Sequence, residues 1–240
     1  MMLSVIIPAY NEEDSIENLL YAVFASPPSK EVIIVNDASG DKTKQILERI
    51  EKMVKTPDEG RKFLRNLKVV HKEKNEGKGA AIRTGLDYVS GDVVLIQDAD
   101  LELDPREYPK LMEQFHAYNA DAVFGSRFRM EGIKRVFRFK SFFVNRVITI
   151  FSNIFSGLYL TDVETCYKVI RSDIFKSLKI RSNRFEVEPE IVAKLAKRPE
   201  LAIFEVPIAY NARTRKQGKK IGFKDGVETL WAIFKFNVLS

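Results

Sequence analysis

Short unbroken runs of apolar residues alternate with stretches of helical period through the first half of the chain. Leu3–Pro8 (LSVIIP) and Glu31–Asp37 (EVIIVND) are two such runs, followed by amphipathic patterns at Glu12–Phe24 and Lys42–Met53. A run with no polar alternation suits a strand covered on both faces, and the intervening helices supply the crossovers of a parallel sheet. The alternation continues through Leu67–His71, a helix opening at GKGAAIRTGLDYV, Asp92–Gln97, a helix after Pro105, and Asp121–Ser126. It predicts an α/β protein with an open, mostly parallel sheet flanked by helices. The second half is less regular. Residues 134–160 are rich in Phe, Ile, Val and Arg, at a spacing that predicts one or two amphipathic helices with a basic side. A strand at Thr165–Ile170, a helix at Val187–Lys197, a strand within Ala202–Tyr210 and a last helix from about Phe223 complete the pattern.

The 240 residues carry no repeat, low-complexity tract or linker, so a single domain over 1–240 is expected. Hydrophobic content of 45% and charged content of 30% exclude a disordered chain, a collagen-like repeat and a disulfide scaffold. Cys166 stands alone, and His71 and His116 lie far apart, so neither an internal disulfide nor a zinc pattern is available. That suits a reducing compartment. The net charge of +6 is concentrated in Arg127–Arg146 and Arg213–Lys224, which leaves the rest of the chain net acidic. Two basic stretches on an acidic body call for an anionic partner: phosphate, nucleic acid or a membrane surface. The N-terminal apolar run passes straight into AYNEEDS, so no signal peptide is expected. Val147–Leu160 is too short and too interrupted to span a bilayer. Any membrane contact is expected from the side.

In open α/β sheets ligands bind beyond the carboxyl ends of the strands. The residues there are Pro8-Ala9-Tyr10-Asn11-Glu12, Asn36-Asp37-Ala38-Ser39 and Asp98-Ala99-Asp100-Leu101-Glu102. In an extended segment Asp98, Asp100 and Glu102 would point the same way and converge. Three carboxylates at one point repel unless a cation offsets them, and an all-oxygen set suits Mg²⁺ or Mn²⁺ completed by substrate phosphates. The competing reading is a solvated acidic loop. Asp37 is placed to accept from a ribose hydroxyl or a base edge, or else to cap the helix that starts near Asp41. The glycine-rich stretch Asn75-Glu76-Gly77-Lys78-Gly79 at a helix start favours an anion, or simply a turn. The first loop has no glycine, which excludes the dinucleotide fingerprint and the P-loop there, and no G-x-S-x-G elbow occurs.

SVIIPAYNE, VNDASGD, the D-x-D element in QDADLELDP, and FGSR resemble the family 2 nucleotide-sugar glycosyltransferases of GT-A fold. TDVETCYKVIR, FEVEPEIVAKL and YNARTRKQGKKIGFKDG are similar to the branch that contains dolichyl-phosphate mannose synthase and polyprenyl-phosphate glucosyltransferases. The resemblance implies a nucleotide-sugar-binding half over 1–126 and an acceptor-binding half with amphipathic helices over 127–240. It implies that Pro8, Tyr10, Glu12 and Asp37 hold the nucleotide, with Lys78 joining the donor site. Asp98, Asp100 and Glu102 would hold the metal, Mg²⁺ or Mn²⁺, and the donor diphosphate; Glu102 stands where the family often has glutamine. Arg127 and Arg213 would meet the acceptor phosphate or the diphosphate, assisted by Lys219 and Lys220.

The implied reaction is inverting transfer of mannose or glucose from GDP-mannose or UDP-glucose to a polyprenyl phosphate. A lipid phosphate is already ionised, so no base is obligatory; where one is needed, Asp162 or Glu164 is the candidate. Residues 134–160 would lie on an anionic bilayer and admit the polyprenyl tail, or simply pack on the sheet. The expected location is cytoplasmic, peripheral to the cytoplasmic face of a membrane, with no nucleic-acid partner. Three rivals differ in one feature each. Transfer to a glycan hydroxyl would need the base. A sugar nucleotidyltransferase would need a glycine-rich first loop. A nucleic-acid-binding module would not need the acidic strand-end cluster.

Overall fold

The structure, a computed structural model, describes residues 1–55, 66–129, 139–211 and 223–239. Its strands are β1 (Leu3–Ala9), β2 (Lys30–Asn36), β3 (Leu67–His71), β4 (Val93–Ile96), β5 (Ala122–Ser126), β6 (Lys168–Arg171) and β7 (Ile203–Pro207). They form one seven-stranded sheet in the order β3-β2-β1-β4-β6-β5-β7. β6 runs antiparallel to β4 and β5, and the other pairings are parallel. The helices are α1 (Ile16–Ala25), α2 (Thr43–Lys55), α3 (Lys78–Leu86), α4 (Tyr108–Ala117), α5 (Phe139–Ser156), α6 (Ser172–Ser177), α7 (Val187–Ala196) and α8 (Phe223–Phe234). A 3₁₀ turn at Pro105–Glu107 precedes α4, and a π-helical turn at Lys235–Leu239 follows α8.

The apolar runs become strands because the sheet is covered on both faces. Every residue of β4 is buried, as are Leu3–Ile7 of β1 and Val32–Asn36 of β2. One buried apolar cluster reaches from β1 to β7, across the sequence midpoint. From β1 the chain winds to β2 and β3 on one side, then returns to place β4 on the other. The carboxyl ends of β1 and β4 therefore flank a topological switch point, where loops diverge and leave a crevice.

Two segments depart from the sequence pattern. The expected strand at Thr165–Ile170 begins only at Lys168, because the preceding residues turn back beneath it: Lys168 Nζ donates to Val163 O at 3.0 Å and also to Thr165 O. The amphipathic helix expected within residues 134–160 is α5, but it does not simply lay its apolar side on the sheet. Its buried residues are Ile148, Thr149 and Ser152, whereas Phe139, Phe143, Val144, Val147, Ile150 and Ile154 are exposed. Thr149 and Asn153 use their polar atoms inward: Val163 N donates to Thr149 Oγ1, and Asn153 Nδ2 donates to Leu160 O at 2.8 Å. The helix packs against α7 and α8, with Phe155 edge-on to Phe234 at 5.7 Å between ring centres. Among the described residues no helix is long and apolar enough to cross a membrane.

Candidate active site

The loops after β1 and β2 are laced together. Asn11 N donates to Ser39 Oγ at 3.0 Å, Glu12 N to Thr43 Oγ1 at 2.9 Å, and Glu13 N to Asp41 Oδ2 at 3.1 Å. In return Gly40 N donates to Asn11 Oδ1 at 2.8 Å, and Lys42 N to Glu13 Oε2 at 2.9 Å. Asn11 and Ala38 take the left-handed backbone conformation, φ 54° and 57°, to make these turns. Asparagine tolerates that conformation; an alanine is held there by its surroundings. The result fixes Pro8 at the end of β1 and leaves Tyr10 at the rim with 43% of its surface exposed. Within the same loop Ser15 Oγ lies 2.8 Å from Glu12 Oε2, and it also lies 3.0 Å from Ala99 O in the loop after β4.

Asp37 does not cap α2. That place belongs to Asp41, whose Oδ1 accepts from Thr43 N at 2.9 Å. Asp37 is buried, and its carboxylate accepts from Lys72 Nζ at 2.7 Å, Gly77 N at 2.6 Å and Glu76 N at 3.1 Å. Two backbone donors just ahead of α3, Glu76 N and Gly77 N, are thus taken by a side chain of the protein. The glycines also serve packing. Gly77 has φ +99°, and a Cβ there would come within 2.6 Å of Asn183 O. A Cβ on Gly79 would run into Ser182 O. Residues 182–184 thus lie directly on the start of α3, and Ala80 N donates to Asn183 O at 3.1 Å. This contact fixes Lys78, the first residue of α3, beside the carboxyl end of β4.

Asp98, Asp100 and Glu102 do not converge. The segment bends after β4 instead of staying extended, and Asp100 Oδ1 accepts from Glu102 N at 3.0 Å, which removes the two-residue alternation. The outer two acids are each tied elsewhere. Lys78 Nζ lies 2.7 Å from Asp98 Oδ1 and 2.8 Å from Glu188 Oε1, while Lys168 Nζ lies 2.5 Å from Glu188 Oε2. Tyr210 donates to Glu102 Oε2 at 2.6 Å, and Asn211 N donates to Glu102 O at 2.8 Å. Asp100 occupies the middle of the bend, at the switch point. Burial opposes the charge on Asp98, but Lys78 beside it holds its carboxyl below the usual carboxylate range. Burial likewise opposes the charge on Lys78, and Asp98 and Glu188 more than restore it.

On the far side Arg127 grips Asp162. Arg127 Nε lies 2.6 Å from Asp162 Oδ2 and Nη2 lies 2.8 Å from Oδ1, while the Arg127 backbone N–H donates to Oδ2 at 3.0 Å. Asp162 is completely buried. Both oxygens of that carboxylate are thus engaged by Arg127, so the geometry shows Asp162 positioning the guanidinium. The guanidinium also stacks on Tyr210, 5.1 Å from the ring centre, which links it to Glu102. Glu164, the other candidate base, differs: its Oε1 is buried without a hydrogen-bond partner. Burial raises its carboxyl to about 7, with Glu188 adding repulsion and Lys168 and Arg127 pulling the other way. Arg213, Lys219 and Lys220 lie outside the described residues.

Sequence reasoning missed Lys168, Glu188 and Tyr210. The signal for Lys168 was a lysine inside an apolar strand-like run, where a charge is kept only if paired. Glu188 sits in FEVEPE at the start of α7 and Tyr210 at the edge of the basic stretch, and neither position is distinctive alone.

An uncharacterized protein of Methanocaldococcus jannaschii is 30% identical over 199 residues, covering 80% of this chain and 81% of that one. A dodecaprenyl-phosphate galacturonate synthase of Rhizobium johnstonii is 28% identical over 215 residues, or 88% of this chain; the match spans only 59% of that longer protein. Among solved structures, glucosyl-3-phosphoglycerate synthase of Mycobacterium tuberculosis, in complex with Mn²⁺, UDP-glucose and phosphoglyceric acid, superposes with a TM-score of 0.71 at 17% identity. It covers 98% of this chain and 79% of that one, so the fold is the GT-A fold expected from the strand-end motifs. The sequence profile of glycosyl transferase family 2 matches residues 4–179, from β1 through α6, and the chain belongs to that family.

Proposed function

We propose that this family 2 glycosyltransferase is a metal-dependent, inverting enzyme that moves a hexose from a nucleotide sugar to a polyprenyl phosphate. The observation that carries the reading is the place of Asp100, on a bend beyond β4 at the switch point, between Asp98, which pairs with Lys78, and Glu102, which accepts from Tyr210. The first half, 1–126, then holds the donor, with Pro8, Tyr10, Glu12, Asp37 and Lys78 on or beside the loops beyond the strand ends. The second half, 127–240, holds the acceptor.

Asp98 and Asp100 fit a divalent cation only in part. Among the described residues no group of three His, Cys, Asp or Glu side chains is gathered for a metal. Mg²⁺ and Mn²⁺ commonly take one or two carboxylates and fill the remaining positions with phosphate oxygens and water, and these two carboxylates suit that arrangement. When bound, the ion would neutralise the charge that develops on the departing diphosphate. Glu102, engaged by Tyr210, is not needed in this set. Arg127 is held rigid by Asp162 and brings its positive charge to the acceptor side of the bend. A phosphate acceptor already carries its nucleophilic charge at pH 7, so orientation replaces proton removal. A single displacement inverts the anomeric centre.

The lipid acceptor is supported by the relative's dodecaprenyl-phosphate name and by the outward apolar side of α5. Exposed Lys140 and Arg146 flank that side, and Trp231 of α8 adds to it, a composition suited to peripheral contact with an anionic membrane surface. One observation favours a second reading, transfer to a hydroxyl. Glu164, raised to about 7, is a fit general base. The test supplies labelled GDP-mannose or UDP-glucose, Mg²⁺ or Mn²⁺ and a polyprenyl phosphate, followed by organic extraction. Label in the organic phase, lost with EDTA and in Asp100→Ala, supports the lipid reading. Binding of nucleotide sugar without extractable label sinks it and turns attention to hydroxyl acceptors.

A further inference from the structure

The Asp98–Lys78–Glu188–Lys168 chain is a closed charge account: two carboxylates and two ammonium groups alternate within 2.5–2.8 Å of one another. Both lysines are anchored. Lys168 is fully buried, and its Nζ also meets Val163 O and Thr165 O. Lys78 begins a helix whose first turn is pressed against residues 182–184 at Gly77 and Gly79, so its backbone cannot withdraw without parting that contact. The Lys78 side chain is only 12% exposed, and its ammonium lies 2.7 Å from Oδ1 of Asp98, one of the two acids assigned above to a divalent ion. A doubly charged ion placed on Asp98 in this state would face the ammonium directly, with no added negative charge to offset the repulsion. A nucleoside diphosphate brings that negative charge with it.

We infer that Lys78 holds Asp98 in place of a divalent cation until the donor arrives, so the protein takes up the cation together with the nucleoside diphosphate rather than beforehand. Lys78 is thus a positioning residue that sets the order of binding, and Glu188 keeps it within reach of Asp98. The inference rests on the metal-dependent reading above, but its test reads cation binding and not transfer.

Mn²⁺ alone is titrated into the full chain and followed by the electron paramagnetic resonance of the free ion, then again with GDP or UDP present. In the unaltered protein Mn²⁺ alone binds weakly, and one of the nucleotides tightens it. Lys78→Met frees Asp98 and tightens binding of Mn²⁺ alone by about ten- to a hundredfold, the size of one hydrogen bond to a charged group. Adding Asp98→Asn to that variant removes the gain. A folded Lys78→Met protein, checked by circular dichroism, whose affinity for Mn²⁺ alone equals that of the unaltered chain overturns the inference. Should Lys78→Met not fold, the unaltered chain decides: Mn²⁺ bound equally well with and without either nucleotide overturns it. Failure of the glycosyl-transfer reading would appear separately, as absent label transfer with the Mn²⁺ response of Lys78→Met intact.

Discussion

Arg127 and Asp162 meet side by side, Nε to Oδ2 at 2.6 Å and Nη2 to Oδ1 at 2.8 Å, with the carboxylate wholly out of solvent. Such a pair contributes little net stability compared with apolar residues of the same volume, yet removing one partner strands the other charge. Asp162→Asn should therefore destabilise the fold by about 3–5 kcal/mol in urea denaturation. Replacing both, with Arg127→Met and Asp162→Leu, should recover much of that loss while leaving transfer abolished. Equal losses for the single and double variants would show that the pair is not the unit described.

Gly79 offers a sharper structural prediction, because a methyl group there meets backbone and not a flexible side chain. Gly79→Ala must push residues 182–184 off α3 and carry Lys78 with it, at a cost of about 1–3 kcal/mol typical of overpacking. Gly40→Ala, with nothing within 4 Å of the new methyl, is the control and should leave stability unchanged. Thermal melting separates the two. Nucleotide-sugar affinity should weaken only in the Gly79 variant, since only there does Lys78 move.

The contrast between these glycines shows what the sequence made legible. Continuous apolar runs marked β1, β2, β4 and β5 to within a residue or two, because a strand covered on both faces leaves no other pattern. The strand-end loops were legible for the same reason: their polar residues follow directly on those runs. The shape of those loops was not. The convergence of Asp98, Asp100 and Glu102 assumed an extended chain, and one hydrogen bond from Glu102 N to Asp100 broke it. Ala38 at positive φ carries no signature at all. The pairing of Lys78 with Glu188 joins residues far apart in sequence, which periodicity cannot bring together. The spacing of residues 134–160 left open whether their apolar face met a sheet or a membrane, because helical period is the same in either setting.

Glu164 sets a pH dependence whose sign can be worked out. Its carboxyl rises from the usual 4.5 to about 7 on folding, through burial first and then Glu188, against the pull of Lys168 and Arg127 and with Asp162 adding to the rise. The folded state thus binds the proton more tightly than the unfolded state. The stabilising contribution of that proton is complete below pH 4.5 and is lost as pH climbs through about 7, by up to roughly 3 kcal/mol. Glu164→Gln should flatten that fall in urea denaturation from about pH 5 to about pH 8. An unchanged slope would mean that the group is solvated and ordinary. The same variant discriminates acceptors: transfer to a phosphate should persist, whereas transfer to a hydroxyl should collapse if Glu164 takes the proton.

The apolar side of α5 supplies the last prediction. Ile154 is 72% exposed and Phe143 57%, and neither contributes to the buried core, so an acidic side chain at either position costs the fold little. Ile154→Glu should change stability by no more than about 0.5 kcal/mol, as expected for a surface substitution. On a bilayer the cost is of another size, because burying one large aliphatic side chain is worth about 1.5–3 kcal/mol and the new carboxylate faces anionic headgroups. Co-sedimentation with vesicles containing anionic phospholipid should therefore fall by about tenfold or more for Ile154→Glu, and further for Ile154→Glu with Phe143→Glu. Raising salt should weaken the unaltered protein's binding only in part, since screening acts on Lys140 and Arg146 but not on the apolar contact. Vesicle binding that survives both substitutions would remove α5 as the docking surface, and binding abolished by salt alone would assign it to charge. Loss confined to the acidic variants, with melting unchanged, would place the membrane surface along this helix.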